Sequence, residues 1–186
     1  MLRFTTTKET TDFRQQVLEK GLKMAKVLVT GGAGYIGRHL GDHLLQNNEV
    51  IIIDDFSMGK RKNLPKNHPR LKVFDVSILD ENIGFLFKGI DTVFHLAALT
   101  RPRYSIDYPV ETNRVNVEGT VKVLKHCLDN EVKKAIFMSS ASVYGDQKVF
   151  PISEKAAPNP KSPYALTKLI GESYCRLFEK LYGLKF

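Results

Sequence analysis

The stretch Ala25-Lys-Val-Leu-Val-Thr-Gly-Gly-Ala-Gly-Tyr-Ile-Gly37 passes from an apolar, β-branched run through a glycine loop into a helical pattern. It reads as a strand, a tight turn and the first turn of a helix, which is the context that a nucleotide-binding glycine motif requires. Gly31 permits the turn, Gly34 lets backbone approach a pyrophosphate with no Cβ in the way, and Gly37 lets the helix lie close on the strand. Free N–H groups at the helix start then face the anion. Beyond the loop, Ile36, Leu40, His43 and Leu44 recur at helical spacing and mark an amphipathic helix.

Beyond this helix, Glu49-Val-Ile-Ile-Ile53 forms a second buried strand ending in Asp54 and Asp55. An acid roughly 20 residues beyond the glycines accepts hydrogen bonds from ribose hydroxyls and repels the additional phosphate of NADP, so the spacing favours NAD. Lys60, Arg61 and Lys62, read as a solvated loop, keep NADP as an alternative. Leu71-Lys-Val-Phe-Asp75 reads as a third strand whose terminal Asp75 and following Val76 are placed to meet an adenine, or else as an edge strand with a polar terminus. The fourth strand, Asp91 to Ala98, exits through the small Ala97 and Ala98, which leave room for a flat cofactor. His95 at its end is expected to satisfy local hydrogen bonds rather than act as a base. The loop carrying Thr100, Arg101 and Arg103 is within reach of a substrate, and Arg101 suits a diphosphate.

A long helical pattern from Val110 to Leu128, through Asn116 and Gly119, leads to a fifth strand at Lys134-Ala-Ile-Phe-Met-Ser139. Strands alternating with helices of this length imply an α/β fold, a doubly wound parallel sheet with right-handed crossovers. Ligands bind at the carboxyl ends of such strands, and the glycines, Asp54, Asp75, Ala97, Ser139 and Ser140 all fall there. The segment from Pro151 to Pro163 reads as one ordered loop, and no internal repeat is found.

With 186 residues, 42% hydrophobic and 26% charged, the chain can bury one core, so a single domain is expected. Its net charge of +8 comes from scattered Lys and Arg with no basic helix and no interleaved aromatics, so an anionic nucleotide accounts for it and nucleic acid is not expected. Cys127 and Cys175 fall within helical patterns at no metal-ligand spacing, which argues against a zinc site or disulfide framework and suits a reducing cytoplasm. No apolar run reaches the ~20 residues of a membrane span. Met1 to Lys23 is polar, with a short helical pattern at Phe13, Val17 and Leu18, and reads as an N-terminal appendage preceding a domain over 24–186.

The reacting groups are expected on a helix that Ser162 caps and Pro163 opens. Tyr164 and Lys168 lie one turn apart on it, and with Gly171 and Cys175 they share one narrow side. Leu166, Leu169, Ile170, Ser173, Leu177 and Leu181 cluster on the opposite side. The simplest cover for that stripe is a second copy of the chain, so a homodimer through helices 108–129 and 161–182 is expected. A lysine ammonium one turn from a phenol favours the phenolate, which makes tyrosine a usable base. Ser140, arriving from the fifth strand, is placed to hold the same substrate oxygen.

With those residues in hand, the chain resembles the extended short-chain dehydrogenases/reductases, the NAD-dependent sugar epimerases and dehydratases. The resemblance rests on Thr30-Gly-Gly-Ala-Gly-Tyr-Ile-Gly37, Asp54-Asp-Phe-Ser-Met-Gly59, His95-Leu-Ala-Ala98, Asn116-Val-Glu-Gly-Thr120, Ser139-Ser-Ala-Ser-Val-Tyr-Gly145 and Pro163-Tyr-Ala-Leu-Thr-Lys168, in the family's order. It implies a Rossmann-like fold, NAD as cofactor, and Ser140, Tyr164 and Lys168 as the catalytic set. Cofactor contacts are implied at Gly31, Gly34, Tyr35, Ile36, Gly37, Asp54, Asp55, Gly59, Asp75 and Val76 on the adenosine side. Toward the nicotinamide they are implied at Leu96, Ala97, Ala98, Thr100, Asn116, Ser139, Tyr164 and Lys168, with Arg101 and Ser140 toward substrate.

Members resembling this chain that dehydrate nucleotide sugars carry an Asp-Glu pair where Ala141 and Ser142 stand, so dehydration lacks its acid and base here. A decarboxylase is disfavoured on the same ground. The closest resemblance is to UDP-sugar 4-epimerases; the alternatives are a non-catalytic NAD-binding or dimerisation module and a 4-keto sugar reductase. Gly183-Leu-Lys-Phe186 stands where such a family's sixth strand would begin, so a truncated Rossmann domain without its C-terminal substrate-binding part is expected.

Overall fold

The computed structural model describes residues 24–186; the helical pattern at Phe13, Val17 and Leu18 lies outside them. Five parallel strands form one sheet in the order β3-β2-β1-β4-β5. These are β1 (Lys26–Thr30), β2 (Glu49–Asp54), β3 (Leu71–Asp75), β4 (Thr92–His95) and β5 (Lys134–Phe137). The expected Rossmann-like sheet is therefore present. Its order reverses between β1 and β4, and that switch point opens a crevice at the carboxyl ends of the strands.

Alternation along the central strands divides the core in two, because successive side chains point to opposite faces. Val27, Val29, Val50 and Ile52 pack with Leu45, Leu40 and Leu44 on one face. Leu28, Ile53, Val93 and Ala135 pack with Val123, Leu124, Cys127, Cys175 and Phe178 on the other. Both faces of β1 are covered, which is why its sequence is a continuous apolar run rather than an alternating one.

The helices are α1 (Tyr35–Leu44), α2 (Pro102–Asp107), α3 (Pro109–Asn113), α4 (Gly119–Asp129) and α5 (Pro163–Tyr182). In α1 the inward positions are Gly37 and Gly41, with Leu40 and Leu44 half-buried, while Ile36 and His43 are exposed. Spacing alone could not separate these, because glycine carries no hydropathy signal although it sets how close the helix lies. A Cβ at Gly37 would stand 2.3 Å from the Gly31 carbonyl oxygen and 2.6 Å from the Gly32 Cα.

The pattern expected as one helix over 110–128 is interrupted by a π turn at Arg114–Glu118 joining α3 to α4. The wider turn carries Asn116, which is buried and fully engaged. Such single π turns within helices recur at functional sites. The fourth strand is also shorter than expected, since after His95 the chain bends over β1. Leu96 donates its N–H to the Thr30 carbonyl at 3.1 Å, and Ala97 donates to the Thr30 hydroxyl at 3.2 Å.

Helix α5 begins as its sequence predicts, with the Ser162 hydroxyl accepting from the Ala165 N–H at 3.2 Å and Pro163 in the first turn. It ends at Gly183, whose φ of 71° is the left-handed conformation that glycine adopts freely. The chain then reaches the outer edge of β5, where Ala135 donates to the Lys185 carbonyl at 2.9 Å and Leu184 is buried.

Candidate functional site

A cleft of about 690 Å³ runs along the carboxyl ends of the strands. It begins at the glycine loop, where Gly31, Gly34, Tyr35, Ile36 and Gly37 line it. Gly31 has φ of 71°, and a Cβ there would stand 2.7 Å from the Ala97 backbone nitrogen, so this turn excludes side chains on two counts. No side chain caps the first turn of α1 and no acid lies within it. Its leading N–H groups and the positive end of the helix dipole are thus presented to the cleft, an arrangement that suits an anion. The absent side chains and unclaimed donors fit a dinucleotide pyrophosphate.

Asp54 closes the β2 end. Its Oδ2 accepts from the Ala33 N–H at 2.8 Å and its Oδ1 from the Phe56 N–H at 2.9 Å. Burial raises its pKa above the ordinary aspartate value, while those two backbone donors pull it back down. Each oxygen keeps a lone pair that a ribose hydroxyl can use. Asp55 and Gly59 also line the cleft, and Gly59 has no room for a Cβ, which would stand 2.8 Å from that of Ala33. Asn63, which no local pattern singles out, donates to the Ala33 carbonyl at 2.8 Å, and Lys60 donates its N–H to the same oxygen at 3.2 Å. The loop after β2 is thereby fastened to the glycine loop.

Val76 lines the cleft but Asp75 does not. The Asp75 carboxylate turns outward to Arg61 at 2.7 Å, and Arg61 also covers the Phe56 ring at 4.3 Å. Asp75 is exposed at the end of the edge strand β3, and spacing could not reveal its partner.

Leu96, Ala97, Ala98, Thr100 and Arg101 line the middle of the cleft, together with Glu111 and Val115, which sequence reading did not pick out. Asn116 stands outside it. Its Oδ1 accepts from the Leu99 N–H at 2.8 Å, and its Nδ2 donates to the Leu99 carbonyl at 3.0 Å and to the Thr167 hydroxyl at 3.1 Å. It therefore pins the loop after β4 to α5.

His95 is buried with its ring between two threonines, Nδ1 at 2.7 Å from the Thr30 hydroxyl and Nε2 at 2.9 Å from that of Thr120. Thr120 donates to the Asn116 carbonyl at 2.6 Å, so its oxygen must accept from a protonated Nε2. Nδ1 is then the bare acceptor for Thr30. Burial, with the Lys168 charge adding to it, pushes the pKa of His95 down to about 3. The ring is neutral and saturated with partners, which matches the expectation that it satisfies local hydrogen bonds.

The far end of the cleft holds Ser139, Ser140, Tyr164 and Lys168. Tyr164 is buried, and its N–H donates to the hydroxyl of Ser105, a buried serine on α2, at 3.0 Å. Lys168 is 4% exposed; Nζ donates to the Met138 carbonyl at 2.8 Å and lies 4.8 Å from the centre of the Phe137 ring. Burial pushes its pKa down to about 8. Gly171 makes room for that ring, because a Cβ there would meet Phe137 at 2.3 Å. Ser140 donates to the Ser142 hydroxyl at 3.1 Å and caps the 3₁₀ turn Ala141–Tyr144. Neither Ala141 nor Ser142 lines the cleft.

A glycine-cradled crevice at the switch point of a parallel sheet, ending at a serine, a buried tyrosine and a buried lysine, defines a dinucleotide-binding domain of the short-chain dehydrogenase/reductase type. The chain belongs to the NAD dependent epimerase/dehydratase family, whose model matches residues 27–186. It is similar to the UDP-N-acetylglucosamine 4-epimerase of Methanobrevibacter ruminantium, solved with UDP-N-acetylmuramic acid, at TM-score 0.84 and 40% identity over 88% of this chain and 53% of that one. It is also similar to the UDP-glucose 4-epimerase of Brucella ovis solved with NAD, at TM-score 0.81 and 32% identity over 86% of this chain and 49% of that one. The UDP-glucose 4-epimerase of Mycolicibacterium smegmatis is 36% identical over 165 residues, 86% of this chain and 53% of its own length. The chain spans about half the length of the curated relatives it matches. Among the described residues no cluster of His, Cys, Asp or Glu could hold a metal, and no helix is long and apolar enough to cross a membrane.

Proposed function

We propose that residues 24–186 are the NAD-binding domain of a nucleotide-sugar 4-epimerase acting on a UDP-sugar, with residues 1–23 an appendage and further sugar contacts supplied from outside this domain. The observation carrying this reading is that Ser140, Tyr164 and Lys168 line the same cleft that starts at the glycine loop. Tyr164 takes the proton of the sugar C4 hydroxyl. Ser140 holds the same oxygen by a hydrogen bond, and the Lys168 ammonium reaches the nicotinamide ribose. NAD, when bound, supplies a hydride acceptor that returns the hydride to the opposite face of C4, so net redox is zero. Ala141 and Ser142 offer no acid or base, which separates this site from a dehydratase.

The remaining parts of the reading concern assembly. Val110 is exposed on α3, and Leu166, Leu177 and Leu181 are exposed on α5. We place the interface of a homodimer on the helices over 108–129 and 161–182, and the protein in the cytoplasm. The same stripe supports the second reading, a module that binds NAD and pairs without turnover. Addition of UDP-glucose or UDP-N-acetylglucosamine to the NAD-loaded protein is expected to raise the absorbance band of reduced nicotinamide. NAD binding with no such change at any UDP-sugar would favour the second reading.

A further inference from the structure

Two side chains one turn apart on α5 reach the same piece of chain at the end of β5. Lys168 Nζ donates to the Met138 carbonyl at 2.8 Å, and Glu172 Oε1 accepts from the Ser139 hydroxyl at 2.5 Å. The next residue is Ser140. One hydrogen bond fixes a point on a flexible exit but not its direction, whereas two bonds to consecutive residues from one rigid helix fix both. Glu172 is itself held, with Arg176 Nη1 3.6 Å from its Oε2. Its carboxylate thus has one oxygen toward the strand end and the other toward a cation on its own helix.

We propose that Glu172 is a positioning residue that acts through Ser139 to fix the end of β5, and so sets Ser140 and Lys168 in place beside Tyr164. The proposal rests on those three as the reacting set. Lys168 has the most to lose from a loose strand end, since it is buried and the Met138 carbonyl is its hydrogen-bond acceptor. An ammonium deprived of that acceptor is harder to keep charged. The groups facing it from the packed elements are neutral His95 on β4, the Phe137 ring on β5 and Cys175 on α5.

The test follows the titration of Lys168 by carbon NMR in the full 186-residue chain, with its resonance assigned through Lys168→Arg. Ser139→Ala and Glu172→Ala are each expected to lower the midpoint by about half a pH unit or more, and the double variant no further, because they cut one link. Glu172→Gln, whose amide oxygen still accepts the hydroxyl, is expected to keep the midpoint of the parent chain. If Glu172 acted only as a nearby charge, Glu172→Gln would lower the midpoint as much as Glu172→Ala while Ser139→Ala left it alone, and that pattern overturns the proposal. An unchanged midpoint in every variant does so too. Ser139→Ala removes a single oxygen and carries the test should Glu172→Ala not fold. Calorimetric titration with NAD runs alongside: failure of the parent chain to bind NAD would sink the functional reading, while the Lys168 midpoints would still decide the role of Glu172.

Discussion

At the β1–β2 end of the cleft the surface offered to a ligand is mostly backbone, exposed because side chains are missing at Gly31, Gly34, Gly37 and Gly59. At the β4–β5 end it is mostly side chains, with Ser140, Tyr164 and Lys168 each held by a partner on another element or turn. The first end is therefore damaged by adding atoms and the second by removing them. It follows that binding and chemistry separate along the cleft, and substitutions at the two ends test that separation.

The largest expected effect lies at the side-chain end. Tyr164→Phe removes one oxygen from a buried ring and is expected to slow sugar-dependent reduction of bound nicotinamide by about 10²- to 10⁴-fold, the usual reach of general acid–base catalysis. Calorimetry should find NAD affinity essentially unchanged. Equal losses of both would mean that the two ends are not separable.

Next in size is Gly37→Ala at the backbone end. The added methyl meets backbone that cannot step aside, so a loss of about 3 kcal/mol in urea unfolding is expected, at the upper end of ordinary overpacking costs. Loss of NAD binding should accompany it. A stable variant with full affinity would show that α1 has room to move.

His95 sits between the two ends and links them through Thr30 on β1 and Thr120 on α4. Its pKa is about 3 in the fold against an ordinary 6.5, so between these values the unfolded chain binds the additional proton. Stability contributed by the neutral ring is complete above pH 6.5 and is lost as pH falls toward 3, with a slope approaching about 1.4 kcal/mol per pH unit. His95→Gln should flatten the stability profile in that window, measured by urea midpoints at successive pH values. A profile identical to that of the parent chain would remove His95 from the account.

The smallest effect is expected from Asn63→Ala, which removes one donor from the Ala33 carbonyl. A net hydrogen bond of about 1 kcal/mol corresponds to NAD binding weakened roughly fivefold. No change would mean that the Lys60 N–H alone holds the loop.

Much of this was legible in the sequence, and unequally so. The five strands and the glycine loop announce themselves because β-branched runs and glycine spacing are local signals. Helix α5 does so too, through Ser162-Pro163 and the Tyr164 to Lys168 spacing. What escaped was whatever depends on a distant partner. Asp75 faces Arg61, Asn116 grips Leu99 and Thr167, Asn63 ties down Ala33, and Glu172 holds Ser139, all pairings that no local pattern encodes. The π turn at Arg114–Glu118 was hidden for a related reason, since its added residue is absorbed without a break in hydropathy. The inner face of α1, at Gly37 and Gly41, is hidden because glycine is silent on a hydropathy scale.

If one dinucleotide lies across both ends of the cleft, a crystal structure of the chain with NAD will show its pyrophosphate at the first turn of α1, a ribose on Asp54, and the nicotinamide ring within reach of the Tyr164 hydroxyl and Lys168 Nζ. A cleft that stays empty at saturating NAD, or a cofactor bound with its adenine at the Tyr164 end, would contradict that placement.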